Sequence, residues 1–108
     1  MNDQIKRELV EGITNALGDL VISIILYGSV ARGSEAENSD VDIAVLLVGE
    51  LDSTLEDRLS DFIVDMNLEY DKVFSVIDIN IEKFKKWEKV LPFYQNVSKE
   101  GIVLWKAA

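Results

Sequence analysis

Leu26-Tyr27-Gly28-Ser29-Val30-Ala31-Arg32-Gly33 leads through a polar loop into Ser39-Asp40-Val41-Asp42-Ile43-Ala44-Val45. This stretch joins two apolar runs. Upstream, Val21-Ile22-Ser23-Ile24-Ile25-Leu26-Tyr27 is rich in β-branched residues and stops at Gly28-Ser29. Downstream, Val41 to Val48 is apolar apart from Asp42. Runs of this length and composition predict buried strands, here over 21–27 and 40–48. Side chains on a strand alternate between faces, so Asp40 and Asp42 share one face while Val41 and Ile43 share the other. Two carboxylates that close repel each other unless a cation sits between them. Magnesium binds through one or two carboxylates and completes its shell with substrate phosphates and water. The doublet therefore suits a divalent cation, although Ser39-Asp40 alone would also fit an ordinary turn.

Gly28-Ser29 suits a different part of the same chemistry. Glycine lets the backbone approach a ligand closely and takes torsions that other residues avoid. A short helix opening at Ser29 would aim free N–H groups past the strand end, where phosphate binds well. Arg32 stands three residues on, with a fork matched to phosphate oxygens. Taken singly, Gly28-Ser29 also fits a plain strand-to-helix turn and Arg32 a solvated charge. Two common phosphate motifs are excluded. Gly28 and Gly33 have the gap of a Walker A loop, but Ser34-Glu35 follows where Lys and then Ser or Thr is required. The G-x-G-x-x-G spacing of a dinucleotide site is absent.

Residues 26 to 48 together resemble the nucleotidyltransferase superfamily that includes DNA polymerase β. Its pattern is Gly-Ser, ten residues, then Asp-x-Asp, and Gly28, Ser29, Asp40 and Asp42 match it. The surrounding Gly-Ser-x-Ala-Arg-Gly, with Ser39 before the first acid, is similar to the bacterial and archaeal branch called minimal nucleotidyltransferases. Pro92-Phe93-Tyr94-Gln95-Asn96 and Lys99-Glu100-Gly101 are similar to the ends of many such domains.

The resemblance implies an α/β (α+β) fold of the polymerase β palm-like kind, a small mixed β-sheet with helices packed mainly on one side. It implies an enzyme that moves a nucleoside monophosphate, AMP from ATP foremost, to a hydroxyl acceptor and releases pyrophosphate. Gly28, Ser29, Arg32 and Ser39 would bind the nucleotide. Asp40, Asp42 and a third acid on a later strand would hold two Mg²⁺ ions. Asp71 is the best match for that acid, at the start of a strand expected over 71–79. Glu69 shares its face as a rival, and Asp78 falls on the opposite face by parity. Longer members of the superfamily shape an acceptor pocket with extra helices. Here a partner or a homo-oligomer would have to supply it. Minimal nucleotidyltransferases are often paired with a small helical HEPN toxin, which several of them modify as antitoxins. Two alternatives stand beside this expectation: a catalytically weak module that acts by binding alone, and an enzyme that modifies antibiotic-type small molecules.

Composition narrows the field further. At 108 residues the chain is expected to form one domain with a modest core. No apolar run approaches a membrane span, and Met1-Asn2-Asp3-Gln4-Ile5-Lys6 lacks the apolar stretch of a secretory signal. A cytoplasmic location is the expectation. There are no cysteines and no histidines, which excludes disulfides, Ser-His-Asp triads and the usual zinc sites. Eleven basic and twenty acidic residues leave a net charge of −9. Such a surface repels duplex nucleic acid, so no direct nucleic-acid partner is expected. A basic protein partner is easier to accommodate.

The remaining elements follow from periodicity and caps. Residues 3–17 read as an amphipathic helix with Ile5, Leu9, Ile13, Ala16 and Leu17 on one face, ended by Gly18. Asp52 or Ser53 can cap a helix to about Leu68, with Leu55, Leu59, Phe62, Ile63 and Met66 inward. Asn80 can cap a short helix through Trp87, Pro92 suits a helix start, and 102–105 close as a strand. Phe84, Trp87, Phe93 and Tyr94 are expected to pack against helices or core. Trp105 suits either packing or a partner contact.

Overall fold

The computed structural model describes residues 1–33 and 40–108. The first helix, α1, spans Asp3–Leu17, where the Asn2 side chain caps it by accepting the Ile5 N–H at 2.8 Å. All five residues expected on its inner face are buried. A single 3₁₀ turn, Gly18–Leu20, leads into strand β1, Val21–Tyr27. The short helix α2, Gly28–Arg32, follows, and then strand β2, Val41–Leu47. Helix α3 spans Ser53–Tyr70, with Asp52 accepting the Leu55 N–H at 2.8 Å. Strand β3, Phe74–Asn80, precedes the helices α4, Ile81–Trp87, and α5, Pro92–Glu100, and strand β4, Ile102–Lys106, closes the fold.

The four strands form one sheet in the order β3-β2-β1-β4. β1 runs antiparallel to both of its neighbours, while β2 and β3 run parallel. The sheet is thus mixed, as expected. Strand alternation divides its two faces cleanly. Val41, Ile43, Val45 and Leu47 point into the larger core, under the two long helices α1 and α3. Ala44 and Leu46 point the other way, into a smaller cluster with Ile25, Ile79, Phe84 and Val97, beneath the short helices α4 and α5. The long helices therefore lie on one face and a lighter cover lies on the other. Leu9, Ile13, Ile24 and Ile43 are fully sealed from solvent. Burying each contributes about 1.5–3 kcal/mol before entropy is counted.

Two expectations change. The strand expected over 71–79 begins at Phe74, and the helix before it continues to Tyr70. Asn67 accounts for both. Its backbone carbonyl accepts the Asp71 and Lys72 N–H groups, and its side chain accepts the Phe74 N–H at 2.8 Å. The helix stops at Asp71 in the left-handed region (φ 50, ψ 46), a conformation in which short polar residues replace the usual glycine. Phe93 also departs from the expected packing. It is 39% exposed, although its ring meets the Tyr27 ring edge-on at 5.5 Å. Trp105 is half-buried on β4, opposite Ile24.

Candidate active site

The corner between β1 and β2 is built by backbone geometry. β1 delivers Tyr27 to the sheet end, and the chain turns there through Gly28 at φ 77. Only glycine adopts that torsion without strain. A second constraint acts on the same residue, because a Cβ at Gly28 would run into the Asp42 Oδ2 atom. The glycine corner and the acidic doublet therefore meet at one end of the sheet. Ser29 is half-buried in the first turn of α2, and no side chain caps that turn.

Asp42 is half-buried in β2, in register with Tyr27 of β1 on one side and Ser75 of β3 on the other. Asp40 stands just before the strand and is exposed. Strand alternation puts Asp42 on the α4/α5 face. Tyr27 shares that face. Burial, and then the charge of Asp42, hold its phenol above the ordinary tyrosine range. It therefore stays protonated at neutral pH. Tyr27, Phe93 and Tyr94 form a chain of edge-on rings beside the doublet.

The other expected site residues fall differently. Asp71 is exposed in the cap of α3, three residues before β3 begins. Glu69 lies in the last turn of α3, so it is not on the strand face. Burial and the nearby Glu8 raise its carboxyl. Asp78 faces the opposite side of the sheet, in a groove of about 420 Å³ with Ile63 and Val64 of α3. Arg32 closes α2, but its side chain, like Ser39, lies outside the described residues. Ser75 is the site-facing residue that sequence inspection passed over. Alternation fixes its face, but only the pairing of β3 with β2 places it opposite Asp42.

Among the described residues no group of three or more acids, histidines or cysteines is gathered closely enough to hold a metal ion. Asp40 and Asp42 nevertheless fit a hard cation. Both offer oxygen ligands, of the kind whose magnesium shell is completed by phosphates and water.

A mixed sheet that brings a glycine–serine turn and a D-x-D doublet to one end defines a nucleotidyltransferase. The chain belongs to the polymerase β nucleotidyltransferase family, whose model, "Polymerase beta, Nucleotidyltransferase", matches residues 11–108. It is 35% identical over 102 residues to a Methanocaldococcus jannaschii protein provisionally named a protein adenylyltransferase, covering 92% of this chain and 93% of that one. Solved structures share the fold. A toxin–antitoxin structure with AMP-PNP matches at TM-score 0.66 and 22% identity, over 94% of this chain and 73% of that one. A complex of the tri-AMPylated Shewanella oneidensis HEPN toxin with its MNT antitoxin matches at TM-score 0.63 and 19% identity, over 99% and 74% respectively.

Proposed function

We propose that this enzyme transfers AMP from ATP to a hydroxyl group on a partner protein, as the antitoxin of a HEPN-type toxin. The observation that carries the proposal is the Gly28–Asp42 approach, which brings the glycine turn and a carboxylate into one corner. A triphosphate entering there meets amides and a cation site within one corner. The relatives support this choice of acceptor. One is provisionally named a protein adenylyltransferase, and structures of the same fold include an AMP-PNP complex and an AMPylated HEPN toxin.

In this scheme Asp40 and Asp42 hold Mg²⁺. When bound, the metal would offset phosphate charge and make the acceptor hydroxyl more acidic. The Gly28–Ser29 backbone grips the β- and γ-phosphates, with Arg32 and Ser39 adding polar contacts to the same tail. Tyr27, kept protonated beside Asp42, orients that carboxylate and closes the site toward Phe93. The α-phosphorus is thereby presented to an acceptor approaching from the open sheet end. Its bond to the acceptor oxygen forms as its bond to pyrophosphate breaks and the acceptor proton passes to solvent water, and positioning together with charge stabilisation supplies nearly all of the acceleration.

The test is incubation with Mg²⁺, α-labelled ATP and the protein encoded beside this one. Label is expected on the partner, and it should be lost in Asp40→Asn and Asp42→Asn. Tight complex formation without label in the wild type would refute transfer and leave a binding module.

A further inference from the structure

We infer that Ser75 occupies the place where a third site carboxylate would stand, leaving Asp40 and Asp42 as the site's carboxylates among the described residues, so that the cation is taken up together with the nucleotide. The inference rests on the assignment of Asp40 and Asp42 as cation ligands. Parallel pairing sets the Ser75 Cα directly opposite the Asp42 Cα. Paired residues on neighbouring strands lie about 5 Å apart and project from the same face. Residue 75 is thus the position on β3 from which a side chain reaches a cation held by Asp42. It carries a neutral hydroxyl, and it is half-buried.

Among the described residues, the positions around it on β3 and its approach offer no substitute. Val73 and Ile77 share its face and are apolar, while Asp78 projects to the other side. Asp71 is turned out of the strand altogether by its left-handed cap. With two carboxylates, a magnesium ion has few protein ligands and relies on phosphate oxygens for the rest. Cation and nucleotide then bind interdependently.

Mn²⁺ binding followed by electron paramagnetic resonance tests this without recourse to activity. Without nucleotide the wild type should bind Mn²⁺ weakly, and Ser75→Asp should bind it about tenfold more tightly or better. AMP-PNP should narrow that gap by supplying ligands to both. Asp71→Gly, which suits the torsion at that site, should bind Mn²⁺ as the wild type does. Ser75→Glu serves as a second variant should circular dichroism show Ser75→Asp unfolded. Unchanged Mn²⁺ affinity in a folded acidic variant overturns the inference, as does a loss in Asp71→Gly equal to that in Asp42→Asn. Retention of both Mn²⁺ binding and transfer in Asp42→Asn would instead overturn the underlying site assignment.

Discussion

Gly28 answers two demands at once, a positive φ and the near approach of Asp42. Gly28→Ala is expected to destabilise the fold by about 1–2 kcal/mol through the torsion alone. It should also push the carboxylate aside and cut transfer on the order of 100-fold, the scale of a 1 Å misplacement. Thermal melting and label transfer measure the two effects separately, and full activity in the variant would refute the corner as a binding element. Tyr70 offers a second prediction. Its hydroxyl is buried between α1 and α3, close to Glu8. Burial first, and then the proximity of Glu8 and Glu69, push its pKa to about 12. A raised folded pKa means the unfolded chain sheds the proton first. The contribution of Tyr70 is thus complete below pH 10 and lost as pH climbs through about 12. Absorbance titration at high pH should show a late tyrosinate that Tyr70→Phe removes, along with part of the alkaline loss of stability. At this scale the sequence was legible where residues obey the period of a strand. Asp42 and Gly28 lie where alternation and the turn required. Asp71 did not lie on β3, because an acid does the work of the glycine that would have marked the helix end.

Elements were readable in proportion to their caps. Asn2, Asp52 and Asn80 each accept N–H groups at a helix start, and each had been visible as a polar residue before an apolar period. The boundary near residue 70 was hidden because Asn67 ends α3 and starts β3 through one backbone and one side-chain acceptor. That device yields a prediction. Asp71→Gly should raise stability by about 1 kcal/mol by relieving the left-handed cap, with urea unfolding as the measurement. A second prediction concerns α1 against α3. Gly→Ala inside a helix normally stabilises by about 1 kcal/mol. At Gly12, however, the new methyl would strike the Phe62 ring. Gly12→Ala should instead cost about 1–3 kcal/mol, the range for an overpacked interface. A stabilised variant would show that the two helices can separate at little cost.

The whole molecule has a large core under its long helices, a small one under its short helices, and a strongly acidic surface. The sheet order could be anticipated only from resemblance, since pairing β4 beside β1 joins residues some eighty positions apart, as in the Ser23 hydroxyl bond to the Trp105 carbonyl. Periodicity carries no information about such partners. Ile43 sits fully buried in the larger core. Ile43→Ala should cost about 2–5 kcal/mol, a large part of the 5–15 kcal/mol typical of a domain, and should visibly lower the urea midpoint.

The close approach of Gly28 to Asp42 also constrains how such a protein can decay. A methyl group at position 28 meets two obstacles, the positive torsion and the acid opposite, and loss of the acid removes only the second. Loss of the carboxylate is therefore the easier first step. Degenerate copies of this chain should accordingly show an intact turn beside a missing acid more often than an enlarged turn beside an intact one.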